Sequence, residues 1–351
     1  MPWFFRMVIG FWSTVFWLFG MWLLFVQKLM FGVAKSPSMD GRAIHEAQAK
    51  HSNLIAVDEF GANPGALKMW TYRGKTCVPG APLIVVLHGS TQTAAEYANG
   101  AGWIELADEH GLFILCPEQT KENNGTLSFN WFRREDTNRD SGEPASIKQI
   151  IDSVTTGERL DPDRVFVTGL SSGGAMTAVM LATYPEVFAG GAVVAGLPYG
   201  AATTVPGALW VMFAGRRLAA SDWGDKVRAA HMCIGARPPI SIWHGDKDKV
   251  VNPKLADALA LQWTDVHAVD ASDASVSTSA GRRTTEWKSL EGTPLVTLHI
   301  MSGMGHGAPV KTAGANAYGT PGPYLLEEDV SSSYEIARAW QVIVTKPALA
   351  A

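Results

Sequence analysis

From about residue 67 onward, short apolar runs alternate with stretches whose apolar residues recur at helical spacing. Leu67–Tyr72 reads as an early strand, Leu83–Leu87 as one buried on both faces, and Gly111–Cys116 as the next. Between the last two, Thr93–Glu109 carries a helical pattern through Ala94, Tyr97 and Ala98, then Ile104, Leu106 and Ala107. Pro144–Thr156 predicts a helix with Ile147, Ile150, Ile151 and Val154 on one face and Gly157 at its stop. Arg164–Thr168 is a β-branched and aromatic strand that feeds into Gly169-Leu170-Ser171-Ser172-Gly173-Gly174. A helix follows, with Met176, Val179, Met180 and Thr183 at i, i+3, i+4, i+7 and Pro185 at its end. Gly190–Ala195, Ile240–Trp243 and Leu295–Ile300 complete a strand set spaced for helical crossovers, which predicts a mainly parallel α/β sheet with helices on both faces. Two stretches fit this scheme poorly, Gly196–Met232 and Asn252–Lys288. They are expected either as excursions around the mouth of a site or as ordinary surface connections.

The amino terminus follows a different pattern. No charged residue occurs between Arg6 and Lys28, and the 21 intervening residues are rich in Phe, Trp, Leu and Val, long enough to cross a bilayer as a helix. Residues 1–35 are therefore expected to form an uncleaved anchor or export signal, in preference to a helix docked on another apolar surface. Gly32-Val33-Ala34 is the nearest approach to a cleavage site. Residues 36–66 turn polar and Gly/Pro-dotted, as a linker with one short helix at Arg42–His51, and residues 67–345 form the catalytic domain. The expected location is thus outside the cytoplasm, extracellular or periplasmic, or at a membrane. A net charge of -4 supplies no basic patch for nucleic acid. Cys77, Cys116 and Cys233 allow at most one disulfide and have no metal-binding spacing. No H-E-x-x-H and no Lys-bearing phosphate loop occurs, so neither metal nor cofactor is expected.

Strand, G-x-S-x-G, helix is the context of a nucleophile elbow. Ser171 would stand on a sharp turn that side chains at 169 or 173 would crowd. Serine needs a base within hydrogen-bond reach and an acid to orient that base, and in such a sheet these follow in the order Ser, Asp or Glu, His, each after a later strand. After Ile240–Trp243 come Asp246 and Asp248, of which Asp248 is preferred because it lies further along toward the histidine loop. After Leu295–Ile300 comes His306, bracketed by Gly305 and Gly307. His88 and His244 also end strands, but each precedes a glycine where a backbone turn accounts for it. Acyl transfer further requires oxyanion donors, expected at the backbone N–H of Ser172 and of Ser90.

With these residues in hand the chain resembles the poly(3-hydroxybutyrate) depolymerase family of esterases, which is related to feruloyl and acetylxylan esterases. The resemblance covers about residues 67 to 340. It is carried by Leu87–Tyr97, Gly102-Trp103, Pro117–Gln119, Phe129–Phe132, Gly142-Glu143, Ser146-Ile147, Gly169–Met176 and His244–Asp248. It implies an α/β-hydrolase fold, a triad of Ser171, Asp248 and His306, an oxyanion donor at Ser90 and a substrate groove lined by Trp131, which the residues alone suggest as a core or loop-packing aromatic. The family commonly carries Cys where this chain has Ser90 and Ser128, apparently as a disulfide beside the site. The resulting expectation is a serine esterase acting on hydroxyalkanoate polyester or short-acyl esters. The alternatives are a feruloyl or acetylxylan esterase, or a catalytically silent hydrolase fold used for binding.

Overall fold

The computed structural model of the chain describes residues 54–232, 235–279 and 281–343. The apolar segment 1–35, the short helix expected at Arg42–His51 and Cys233 lie outside the described residues. Among the described residues no helix is long and apolar enough to cross a membrane, and Cys77 and Cys116 are free thiols.

The strands are β1 (Ile55–Ala56), β2 (Lys68–Arg73), β3 (Leu83–Leu87), β4 (Phe113–Glu118), β5 (Val165–Leu170), β6 (Gly190–Val194), β7 (Ile240–Gly245), β8 (Ala274–Ser279), β9 (Arg282–Lys288), β10 (Pro294–Met301), β11 (Ala308–Val310) and β12 (Leu325–Glu327). The first ten form one sheet in the order β1-β2-β4-β3-β5-β6-β7-β10-β9-β8. Its middle, from β4 to β10, is parallel, and antiparallel pairs close both edges. The helices are α1 (Ala94–Gly100), α2 (Trp103–His110), α3 (Gly142–Gly157), α4 (Ser172–Thr183), α5 (Val205–Ala214), α6 (Ala220–Ala230), α7 (Lys254–Val266) and α8 (Ser332–Ala339).

The period of two along β3 divides the core. Leu83, Val85 and Leu87 join one apolar layer with Ile147 and Ile150 of α3, Met176 and Val179 of α4, and Leu259 and Trp263 of α7. Ile84 and Val86 point into the opposite layer, with Tyr97 of α1, Trp103 and Leu106 of α2, and Ile336 of α8. Helices on both faces are what allow β3, β5 and β6 to be buried at every position.

Several elements differ from the sequence expectation. The single helical pattern of Thr93–Glu109 is broken into α1 and α2, because Gly102 takes φ +83° and any Cβ there would lie 2.7 Å from the Gly319 nitrogen. α1 is closed by a capping box in which Thr93 and Glu96 satisfy each other's backbone N–H. The one-sided pattern of α4 understates its environment, since all twelve of its residues are buried. Asn252–Lys288 contains α7 and an edge hairpin, β8 and β9; most of its polar run Ser272–Ser279 is the outermost strand β8, whose side chains are almost all exposed. Gly196–Met232 contains α5 and α6. β1 lies within the stretch read from composition as a linker, and Asn63 and Gly65 of that stretch donate their backbone N–H to Gln149 and Ser146 of α3.

Candidate active site

The turn between β5 and α4 is shaped by what cannot fit there. A Cβ at Gly173 would stand 2.2 Å from the Leu87 carbonyl oxygen, and one at Gly169 would stand 2.5 Å from the Gly173 backbone. The helix start therefore lies directly on the backbone ends of β3 and β5. Ser171 between them is forced to φ 56° and ψ -113°, a conformation that costs on the order of 1–3 kcal/mol and persists only where the surroundings enforce it. Ser171 N donates to Val194 O at 2.9 Å, and Ala175 N donates to Ser171 O at 2.9 Å, which holds the turn on both sides.

Ser171 Oγ lies 3.0 Å from His306 Nε2, and His306 Nδ1 lies 2.7 Å from Asp248 Oδ2. The residues come from the ends of β5, β10 and β7, in the chain order that the sequence reading anticipated. The acid and base loops are seated on each other. Lys247 N donates to Met304 O, Asp246 N to Met301 O, and Gly303 N to the Asp246 carboxylate. At Gly245 a Cβ would lie 2.2 Å from Met304 O, so this glycine permits the approach. Asp246 thus links the loops, and Asp248 meets the histidine.

Ser172 opens α4, and among the described residues its N–H and that of Ser90 have no acceptor. His88, fully buried, accepts from Gln119 N at 3.1 Å through Nε2 and so donates from Nδ1 to Gly89 O at 2.8 Å. Burial keeps this imidazole below its ordinary pKa and hence neutral. All described peptides are trans, so fixing the Gly89 carbonyl toward His88 turns the Ser90 N–H the other way. His88 was read from sequence as a turn residue, and only its ring contacts show that it orients this peptide. Trp131 stands apart from the hydrogen-bonded set. It is 5% exposed, lies in the apolar layer of β3 and α4, and meets Phe132 edge-on at 5.3 Å.

Residues 72–288 match the family model described as Esterase PHB depolymerase. The chain is 42% identical over 292 residues to poly(3-hydroxyalkanoate) depolymerase C of Paucimonas lemoignei, covering 83% of this chain and 70% of that one. It is 31% identical over 278 residues to feruloyl esterase B of Neurospora crassa, covering 77% and 93% respectively. The chain belongs to the PHB depolymerase family of esterases. Its α/β-hydrolase fold is shared with a solved acetyl xylan esterase from Aspergillus awamori, at a TM-score of 0.68 and 24% identity over 73% of this chain and 94% of that one. It is accordingly a carboxylic ester hydrolase.

In this PHB depolymerase family esterase, Ser90 and Ser128 do not part company for want of a disulfide. Their hydroxyl oxygens lie 2.5 Å apart, and Thr126 Oγ1 joins them at 3.0 Å from Ser128. The adjacent Thr91 holds φ +68°, with its N–H on Thr126 O, so the loop is braced by hydrogen bonds.

Two buried groups escaped the sequence reading. His244, fully buried at the end of β7, brings Nε2 within 3.2 Å of Asp248 Oδ2 and 2.9 Å of Val251 O. Both neighbours are acceptors, so Nε2 carries the hydrogen. Asp248 Oδ1 receives the N–H of Val250 and of Val251 at 2.8 and 2.9 Å. Burial opposes ionisation of Asp248, but the hydrogen bonds from His244 and His306 outweigh it and hold the carboxyl well below the usual range. Glu143, at the start of α3, accepts from Gln119 Nε2 at 2.6 Å and from Asn130 N and Nδ2 at 2.9 and 2.8 Å. It ties the loop before Trp131 to the strand end that carries Gln119. Burial, with the charge of Asp136 beside it, pushes Glu143 up to about 8 against these donors.

Two outcomes follow. His244→Leu should lower kcat about tenfold or more, since a donor to an ionised carboxylate is worth about 1.5–3 kcal/mol. His244→Gln, which keeps an N–H at the same reach, should recover part of the loss, and equal loss in both variants would limit His244 to packing. For Glu143 the folded pKa of about 8 lies above the ordinary 4.5. Its contribution to stability is therefore complete below about pH 4.5 and is lost as pH rises through about 8. Between pH 5 and 9 the Tm of the native protein should fall relative to that of Glu143→Gln; a relative rise would show a carboxylate ionised by its donors.

Proposed function

We propose that this esterase hydrolyses poly(3-hydroxybutyrate)-type polyester and related short-acyl esters through an acyl-enzyme on Ser171. The observation that carries the proposal is the continuous hydrogen-bonded line from Ser171 Oγ through His306 to Asp248. His306 Nε2 takes the hydroxyl proton as Ser171 Oγ attacks the ester carbonyl, and Asp248, accepting from Nδ1–H, stabilises the imidazolium that forms. The backbone N–H groups of Ser172 and Ser90 receive the oxyanion, each worth about 3 kcal/mol of transition-state stabilisation. Collapse expels the alcohol with the proton from His306. Water then attacks the acyl group by the same route and releases the acid and the free Ser171. Trp131 enters this reading as a wall of the acyl groove on the family resemblance alone; its ring is 5% exposed and packs in the apolar layer of β3 and α4.

Polyester is favoured over feruloyl or acetylated sugar because the 42% identity to a polyhydroxyalkanoate depolymerase exceeds the 31% to a feruloyl esterase. A silent binding protein is disfavoured by the complete line of partners at Ser171. Work outside the cytoplasm, as an exported or membrane-held enzyme, is supported by the uncharged apolar residues between Arg6 and Lys28.

Ser171→Ala should lower p-nitrophenyl butyrate hydrolysis at least about a thousandfold with an unchanged circular dichroism spectrum. The native protein should also release 3-hydroxybutyrate from amorphous polymer. Retained turnover in the variant would remove Ser171 from the mechanism, and preference for feruloyl or acetylxylan esters would move the substrate to sugars. Fractionation of cells making the full chain, with amino-terminal sequencing, should place the protein in an exported or membrane fraction; recovery from the cytosol alone with Met1 intact would overturn that location.

A further inference from the structure

α5 reads Val-Pro-Gly-Ala-Leu-Trp-Val-Met-Phe-Ala, without one polar side chain. A helix that is apolar all round is ordinarily enclosed by protein. Here only Ala208 and Val211 are buried, on one side, while Trp210 is 66% exposed, Phe213 75% and Val205 half exposed. At 100° per residue, Val205, Leu209, Phe213 and Trp210 span a single arc of about 140° opposite the buried pair. Solvent-facing aromatic side chains on one continuous face mark an interaction surface.

The position of the helix identifies what it meets. Its last turn is fastened to the loop of the triad acid: Asn252 N donates to Met212 O at 2.8 Å, and Asn252 Nδ2 to Phe213 O at 2.9 Å. The neighbouring Val251 N donates to Asp248 Oδ1. The helix that carries the apolar face is therefore fastened to the loop that carries Asp248. The helix itself carries no charged residue, which suits a neutral partner. No carboxylate occurs from residue 200 to 220, and of the two arginines beyond the helix Arg216 is turned back, with its guanidinium over the Trp223 ring and Nη1 on Ala201 O, while Arg217 is exposed. An insoluble polyester exposes ester groups only at its surface and carries methyls and no charge, so an enzyme that cleaves it must first hold an apolar surface beside its nucleophile.

We propose that the outward face of α5, with Trp210 and Phe213 as its anchors, is the surface by which this enzyme docks on solid hydrophobic polyester. The assignment rests on the polyester reading of the active site. Adsorption delivers chain segments to the rim at Asn252, so Trp210 and Phe213 act on the solid polymer far more than on a soluble ester.

The test uses the full chain in two arms. In the Ser171→Ala background, where no hydrolysis erodes the film, adsorption to a poly(3-hydroxybutyrate) film is followed by quartz microbalance with and without Trp210→Ser and Phe213→Ser. With Ser171 intact, the ratio of polymer to p-nitrophenyl butyrate turnover is measured for the same pair. Adsorption and the turnover ratio should each fall about tenfold. Unchanged adsorption, or an equal fall of both turnovers, would overturn the proposal. So would a dimer that the substitutions disperse, or binding to phosphatidylcholine–phosphatidylglycerol vesicles that they abolish while film binding persists. Absence of Ser171-dependent hydrolysis of the soluble ester would instead overturn the active-site reading, and the adsorption arm distinguishes the two because it needs no turnover.

Discussion

A helix start pressed against the carboxyl ends of two strands imposes the geometry on which this molecule depends. No atom larger than hydrogen is accommodated on Gly173 beneath the Leu87 carbonyl, or on Gly169 beneath Gly173. The chain can make the crossing only by passing through Ser171 in a conformation that L-residues avoid. The cost is borne by the packing of α4, which is buried on every side between the sheet and its neighbours. From that crossing comes a hydroxyl aimed at His306 on the loop after β10, and a helix amino terminus whose first N–H groups have no partner within the helix.

Buried polarity is arranged around the same point, and each buried carboxyl group has its donors. Asp248 receives four, two from backbone and one from each of two histidines. Glu143 receives three close donors from Gln119 and Asn130. His88 is uncharged and spends both ring nitrogens on backbone, one on Gly89 and one on Gln119. An isolated carboxylate in such surroundings would be too costly to retain, so these contacts both stabilise the fold and set the direction of the groups around Ser171 and His306. The serine pair Ser90 and Ser128 belongs to this class of bracing, a short hydrogen bond on the loop where the family commonly carries cysteines.

Apolar character is distributed just as unevenly outside the core. Most exposed large apolar side chains are scattered singly, as on any protein surface. α5 concentrates them on one helix, and that helix borders the acid loop. Family membership makes the chain a carboxylic ester hydrolase, and the exposed apolar face of α5 is the surface feature that the proposed polymer docking rests on.

Much of the site was readable before any coordinates. Ser171 and His306 stand out because each sits in a glycine-rich turn after an apolar run, and Asp248 because it follows a strand end between them in chain order. The parallel order of the central strands was legible for the same local reason, since strands apolar at every position require cover on both faces. The edge hairpin β8–β9 was not, because a polar strand with one exposed side has the composition of a loop. The break at Gly102 was missed because helical periodicity continues across it and only the backbone near Gly319 explains it. His88 and His244 were passed over because a histidine before a glycine carries no local mark of its partners, which arrive from 31 residues away at Gln119 and from the turn closing at Val251. The sequence by itself determined the strand and helix alphabet, the chain order of Ser171, Asp248 and His306 and the glycines that permit their turns, all of them consequences of local sterics and periodicity. Only the tertiary structure decided which aspartate faces the base, which ring nitrogens are donors, and that an entirely apolar helix is left uncovered beside the site, because burial and hydrogen-bond partnership belong to pairs of segments brought together by the sheet.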